Sequence, residues 1–466
     1  MPPTSVLDSR LRGLTLGLPL VVTLFAFDNL GVTTVMPKVA RELSGLSLYG
    51  WTFSAFTLAS IVGLVEAGRR ADRLGPAPGL AVGLALFVTG LIVTASAPTM
   101  PVVVAGRALQ GLGSGAFGTT MYVVIGRAYP AELRPRMFAV LSTAWVVPSL
   151  IGPALAGLAA DSVGWRAVFV ALAVAVPLPM LLTVPRLRTM GRRIEDDGSD
   201  GPSEPSLGGS TVGGSSLGGA IGVTIGAGLV LAGLGSNTWK ALLPLVVVGV
   251  VVGLPALRRT LPSGTGTARR GIPSAVLLRG LLNVAFFGTD AFIPLLLVRL
   301  HHESATMSGL PLTAGGLAWT ATSWASGRMR QAVGTAVSVS AGVVGVLAGV
   351  GAVLVAVSRP SAFALCTAAW AVAGAGMGVA FNLLSVTVID LSPPGREGVT
   401  SSGLQLSDAL GVAVGTGAGG ALVALANRSG WGLAGALVTQ FSINAGLCAG
   451  SLTLGARLVP RTVSDG

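Results

Sequence analysis

Charge is the scarcest property of this sequence. Only 10% of its 466 residues are charged, against roughly a quarter in an average soluble domain. A soluble fold of this length must cover its surface with charge, so the composition argues for a protein that hides apolar surface in lipid. Cysteine is limited to Cys366 and Cys448, both inside apolar runs, which leaves no disulfide framework and no metal-ligand spacing. Histidine is limited to the adjacent His301 and His302, so His-assisted nucleophilic catalysis has little to work with. No Gly-Lys-Ser/Thr phosphate loop occurs, so ATP is not the expected energy source. Neither an enzyme nor a cofactor is expected. The net charge of +12 would point to nucleic acid if Lys and Arg gathered on one soluble face among aromatics. They fall in short clusters between apolar runs instead, so the expected partner is the lipid bilayer and not nucleic acid.

What the sequence has in abundance is apolar stretches. They run at about 13–36, 51–68, 79–97, 102–126, 137–160, 167–185, 217–235, 241–257, 272–298, 307–326, 333–357, 361–389, 399–426 and 433–456. Each approaches the roughly 20 residues a helix needs to cross a bilayer. The seventh and eighth are the weakest, being short or very rich in glycine; if they lie in the interface, the count is twelve. Residues 1–12 are polar and basic, and Asp28 interrupts the run that follows, which reads as a first span and not a removable signal peptide. Arg107 and Arg279 lie within spans. With the N-terminus inside, twenty-one of the other basic residues fall on the cytoplasmic side and seven outside. This bias predicts a multi-pass protein of the plasma membrane with both termini cytoplasmic.

The stretch 191–216 is acidic and then rich in Gly, Ser and Pro, a composition that cannot bury enough apolar surface to order itself. It divides the chain into a first six-helix bundle (1–190), a flexible linker (191–216), two additional central spans (217–257), a second linker (258–270) and a second six-helix bundle (271–466). The bundles resemble each other. A shift of 263 residues superimposes Gly111, Gly113, Gly115 and Pro130 on Gly374, Gly376, Gly378 and Pro393. A shift of 266 superimposes Gly164-Trp165 on Gly430-Trp431, and one of 259 places Gly68 and Gly75 on Gly327 and Gly334. The expected fold is all-α, two six-helix bundles related by a pseudo-two-fold axis plus two extra spans, with a substrate site between the halves near the midplane.

Local patterns carry a resemblance to a known family. The loop after the second stretch reads Gly68-Arg69-Arg70-Ala71-Asp72-Arg73-Leu74-Gly75, the fourth stretch Arg107-Ala108-Leu109-Gln110-Gly111-Leu112-Gly113, and the fifth Gly152-Pro153-Ala154-Leu155-Ala156-Gly157. Asp28 stands nine residues before Pro37. Together these resemble the major facilitator superfamily, specifically its fourteen-span drug:proton antiporter branch. The sequence departs from the branch in Arg70 for Leu, in Pro76-Ala77-Pro78 where basic residues are usual, and in Ala156 for Gly. The resemblance implies that Gly68, Asp72, Arg73 and Gly75, with Arg134, form a cytoplasmic gate. It implies that Gly152, Pro153 and Gly157 form the antiporter motif, and that Asp28 with Arg107 couples transport to protons.

The residues themselves support a polar interior. An Arg inside a span costs about 2.5–3.5 kcal/mol on insertion scales and is tolerated when it faces a partner or a wet cavity. Asp28 and Arg107 reach similar depths, and Asp290 falls in the same outer half. Three charges at comparable depth suggest a shared cavity. Burial favours the protonated form of a carboxylate and a nearby Arg the ionised form, so a carboxylate balanced between them can change state as a carrier cycles. Arg279, Asn283, Phe286 and Asp290 recur at helical spacing and, with Gln110 and Trp370, are the expected lining of a substrate cavity. Asp408 and Gln405, and Asp390, read as gate or loop groups, and Glu66 as part of the cytoplasmic latch. The leading reading is a monomeric, proton-coupled exporter of small neutral or cationic amphipathic compounds. Export of an endogenous lipid, siderophore or metabolite, proton-coupled import, and a non-transporting receptor or scaffold stay open.

Overall fold

The computed structural model describes residues 6–8, 11–74, 76–130, 132–179, 183, 217–236, 238–393 and 397–458. Among the described residues the chain is all helical and makes fourteen passes. Span 1 is Arg12–Glu42, span 2 Trp51–Leu74, span 3 Pro76–Ala95 and span 4 Met100–Ala128. Span 5 is built from Arg134–Thr143 and Val146–Ser162, and span 6 opens with Arg166–Ala175. Leu217–Leu234 and Trp239–Thr260 are spans 7 and 8. Span 9 is Ile272–Asp290 continued by Ile293–Leu300, span 10 Ala305–Val333, and span 11 Thr335–Ala356. Ala362–Asp390, Glu397–Ser429 and Leu433–Gly455 complete the set as spans 12 to 14. Ten of these helices are long and apolar enough to cross a membrane by themselves. Helix is the expected form because lipid offers no partner for an unpaired backbone amide. The linker expected over 191–216 lies outside the described residues.

The repeat inferred from glycine spacing is present in three dimensions, contact by contact. Gly111 faces the Phe56 backbone of span 2, and Gly374 faces the Gly315 backbone of span 10. Gly115 faces Ser60, as Gly378 faces Trp319. A Cβ at Gly113 would lie 2.5 Å from the Phe87 amide nitrogen in span 3, and one at Gly376 would lie 2.8 Å from that of Val346 in span 11. Residues 56, 60, 83, 87 and 90 therefore correspond to 315, 319, 342, 346 and 349 by one shift of 259, while span 4 corresponds to span 12 by 263. The sharp turns after spans 5 and 13 repeat as well: Gly164 and Gly430 both have positive φ, 109° and 71°, a region open to glycine at little cost. These close approaches let helices without a hydrophobic driving force between them associate through van der Waals contact. Gly113→Leu is expected to force spans 3 and 4 apart and to destabilise the fold by about 1–3 kcal/mol or more. Gly118→Ala, at a position with nothing within 4 Å, is expected to be neutral. Thermal unfolding in detergent separates the two.

The halves meet most closely at the end of the bundle away from Arg12 and Arg457, called here the far end. Tyr49 Oη donates to the Ala291 carbonyl at 2.7 Å, and Ser54 Oγ pairs with the Ala413 carbonyl and Thr416 Oγ1, both at 3.0 Å. Asp161 Oδ2 accepts from the Thr306 amide at 3.1 Å and its hydroxyl at 2.9 Å. Gly50 rests against Gly420, and Gly157 against the backbone of Ala305 and Thr306. Spans 5 and 10 cross where Gly316 faces Ser149. Spans 7 and 8 are both long and apolar enough to cross a membrane, as the fourteen-span reading expects. They pack on each other through Gly226, Gly249 and Gly253, and span 7 reaches span 2, where Thr224 Oγ1 donates to the Leu58 carbonyl at 3.1 Å. Span 8 turns most of its surface outward, as a helix on the lipid rim must.

Candidate transport site

Two arginines and three carboxylates from four spans build two separate polar sites, one per half. In the first half, Arg107 Nη1 donates to Asp28 Oδ2 at 2.8 Å, and Arg107 Nε donates to the Thr52 carbonyl at 3.2 Å. The guanidinium also donates to Gln110 Oε1. Gln110 Nε2 in turn donates to Thr94 Oγ1 at 3.0 Å, and the Thr94 hydroxyl to the Gly90 carbonyl at 2.8 Å. The Phe56 ring covers the guanidinium with its centroid 4.3 Å from Cζ, a cation–π contact. Spans 1, 2, 3 and 4 thus hold one charged pair from four sides. The side chains of Arg107 and Asp28 are 2% and 0% exposed, so Arg107 does not snorkel to the surface. Asp28 Oδ1 has no hydrogen-bond partner among the described residues. Breaking such a pair leaves an uncompensated buried charge.

In the second half, Asp290 lies at the end of the first helix of span 9, where the chain breaks before Pro294. Its Oδ1 accepts from Trp370 Nε1 of span 12 at 2.7 Å. Phe286, one turn earlier, stacks on Trp370 with centroids 4.6 Å apart and planes 24° from parallel. Aromatic contacts continue from Phe286 to Trp319 at 5.4 Å and from Trp319 to Phe381 at 5.2 Å. Phe381 ends this row under the Arg279 guanidinium, 3.1 Å from its Cζ. Arg279 grips Asp408 with two hydrogen bonds, Nε to Oδ1 at 2.8 Å and Nη2 to Oδ2 at 3.0 Å. Asn283 Nδ2 adds a third to Oδ1 at 2.8 Å. A planar fork against a carboxylate is the strongest geometry this pair of groups can adopt.

Sequence reasoning placed Asp28, Arg107 and Asp290 in one cavity; the structure joins the first two and gives Asp290 a different partner. The reason is the duplication, which puts span 1 beside span 4 and span 9 beside span 12, each within its own half. Gln110 is fully buried and faces Thr94. Phe286, Asn283 and Trp370 are buried, whereas Asp290, Phe287, Trp319 and Phe381 keep partial exposure. Sequence reasoning missed the role of Asp408, which it read as a gate or loop group. Asp408 lies inside span 13 and shares no local spacing with Arg279, 129 residues away. Asn29 was also missed. It is exposed in the middle of span 1, a place where an amide is costly unless it meets water or protein.

Comparison with known proteins fits this arrangement. The family model described as Major Facilitator Superfamily matches residues 19–200. A probable multidrug-efflux transporter of Mycobacterium tuberculosis is 27% identical over 452 residues, spanning 93% of this chain and 92% of that protein. The multidrug transporter protein MdtP of Bacillus subtilis is 25% identical over 410 residues, 87% of this chain and 74% of that one. The first half of the chain resembles the major facilitator superfamily in sequence. Solved structures share the fold: a D-xylose-proton symporter superposes with a TM-score of 0.67 at 15% identity, covering 97% of this chain and 98% of that one. A POT family transporter in complex with a thioalcohol conjugated peptide gives 0.67 at 13% identity, covering 98% and 99%. At those identities the likeness is one of fold. The protein is a multi-pass membrane protein with a transporter fold.

The remaining motif residues are distributed along the spans and their ends. Gly68 lies on span 2 beside the Arg70–Glu66 pair, 2.7 Å long and one turn apart. Glu66 is thus engaged within its own helix. The side chains of Asp72 and Arg73, and all of Gly75, lie outside the described residues. Arg134 caps span 4, donating from Nε to the Tyr129 carbonyl at 3.0 Å and from Nη2 to the Gly126 carbonyl at 2.7 Å; a cation there meets the negative end of a helix dipole. Asp390 pairs with Arg330 at 3.0 Å on the surface. Gly152, Pro153 and Gly157 lie on span 5: Gly152 faces Phe27 and Leu30 of span 1, and Pro153 and Gly157 face Gly309 and Thr306 of span 10. This stretch is the seam between the halves.

Proposed function

We propose that this chain is a major facilitator superfamily transporter that exports small amphipathic compounds, neutral or cationic, in exchange for protons by alternating access. The observation that carries the reading is the buried Asp28–Arg107 pair, with one carboxylate oxygen unpartnered among the described residues. A pair meant only to bolt helices together has no use for an orphaned oxygen, because each unmade bond there costs stability. A carboxylate held between desolvation and one arginine can take a proton and release its partner. Arg107, kept in place by Gln110, then swings the balance between the two states. Proton entry from outside and release inside would drive the halves through the cycle. For a neutral substrate, one charge crossing 100 mV contributes about 2.3 kcal/mol, which corresponds to roughly 50-fold accumulation; exchange of one proton for one monovalent cation moves no net charge and draws on the pH difference alone.

In this scheme Asp290, Asn283, Phe286, Arg279 and Trp370 line the substrate side of the second half, and the two six-span bundles move as rigid bodies with spans 7 and 8 alongside. The seam at Gly152, Pro153 and Gly157 is the surface on which they rock. The end that carries the termini faces the cytoplasm, and the loop Gly68, Asp72, Arg73, Gly75 with Arg134 closes that end when the far end opens. The carrier works as a monomer in the plasma membrane. Similarity over most of their length to a probable multidrug-efflux transporter and a multidrug transporter supports export over import. Everted vesicles carrying the protein are expected to accumulate a fluorescent amphipathic dye under an inside-acid gradient, to lose it on addition of a protonophore, and to alkalinise their lumen when dye is added. Lumen acidification on dye addition would establish symport instead.

A further inference from the structure

The two halves carry the same acid in the same place and treat it in opposite ways. Asp28 and Asp290 occupy corresponding positions of spans 1 and 9, 262 residues apart, and each accepts a hydrogen bond from the corresponding position of the fourth span of its half. In the first half that donor is Arg107; in the second, 263 residues later, it is Trp370. The neighbours change with it by the shifts already established. Phe56, which covers Arg107, becomes Gly315, whose missing side chain is the space Trp370 fills. Gln110 and Thr94, which orient Arg107, become Ala373 and Val353. The second half has therefore exchanged a whole cation-holding network for apolar volume and has kept the carboxylate. Asp28 is fully buried, whereas Asp290 retains exposure. Among the described residues Asp290 forms no ion pair. Tyr49 of the first half, hydrogen-bonded to Ala291, lies beside it.

We infer that Asp290 is the binding site for the positive charge of a monovalent organic cation, which takes the electrostatic place that Arg107 takes in the first half. The inference rests on the exporter reading and names the substrate class of the second-half site. A carboxylate within a membrane needs a cation or a proton to balance it, and the indole N–H of Trp370 supplies a hydrogen bond without supplying charge. The flat body of the ligand lies along Phe287, one turn from Asp290 on span 9, and Trp319 of span 10, partly exposed rings with centroids 6.2 Å apart whose faces attract a delocalised cation. Arg279, the arginine of this half, is committed to Asp408 by two hydrogen bonds and does not compete for Asp290. The site as a whole discriminates by charge: it accepts one positive centre and offers nothing to an anion.

The test is equilibrium binding to purified protein by calorimetry at a single pH, with tetraphenylphosphonium as the cationic probe and triphenylphosphine oxide as the neutral one. The readout is the ratio of the two affinities, so that a change in folded fraction cancels. Asp290→Asn and Trp370→Arg, the second of which installs the first-half arrangement, are each expected to lower the ratio by about tenfold or more, and Asp290→Glu to restore part of it. A ratio unchanged within twofold in Asp290→Asn would overturn the inference, and so would a wild-type protein that binds no tetraphenylphosphonium. Gradient-driven dye accumulation by wild-type vesicles separates the two levels. If it persists while the ratio does not respond, only the cation site fails; if it is absent, the exporter reading fails with it.

Discussion

Arg107→Ala is expected to cost about 3–5 kcal/mol of folding stability, the penalty for stranding a buried charge without its partner. The substitution removes the only cation on Asp28 among the described residues, the acceptor contact of Gln110 and the cover over Phe56 in one step. Thermal unfolding in detergent with fixed lipid content measures it. The companion variant decides what the number means. Asp28→Leu combined with Arg107→Met refills the same volume with apolar atoms, and replacements of this kind are often neutral or stabilising. The double variant is therefore expected to regain most of the lost stability and to remain unable to couple transport to protons. A pair that served packing alone would give a double variant that is both stable and active.

Tying the far end shut is expected to stop transport outright. Asp161 and Thr306 belong to different halves and are hydrogen-bonded to each other at 2.9 Å, and the seam formed by Gly157 against Thr306 lies one turn away. Cysteines at both positions, joined by oxidation, hold the halves as they stand here. Alternating access needs this contact to part once per cycle, so turnover should fall to background and return on reduction. Cys366 and Cys448, the native cysteines, are buried and will not interfere. A cross-linked protein that still transports would mean the halves do not separate at this end.

Most of the fold was legible because lipid simplifies the code. A helix that must satisfy its own backbone and face hydrocarbon writes itself as an apolar run, so the predicted spans fall on the observed helices, spans 7 and 8 included. The duplication was legible because glycines at close crossings tolerate no substitute, which keeps Gly111, Gly113 and Gly115 in step with Gly374, Gly376 and Gly378. The partnership of Asp28 and Arg107 followed from depth and opposite charge. Asp408 was not legible as the partner of Arg279, since its depth along span 13 depends on a helix that starts near Glu397 and no local spacing links the two. Trp370 was read as one aromatic among several. Its hydrogen bond to Asp290 was recoverable in principle from the 263-residue shift, which aligns it with Arg107, but only once the three-dimensional repeat tied both positions to an acid.

The claim on which the rest stands is that Asp28 couples proton movement to export. Reconstituted Asp28→Asn measures it directly, through dye exchange at equal pH on both sides and uphill dye accumulation under a proton gradient, both assayed in the same vesicles. The account expects exchange to continue while uphill accumulation falls to background, because the carrier still alternates but no longer takes up a proton at this site. Uphill accumulation at the wild-type level in Asp28→Asn would contradict it.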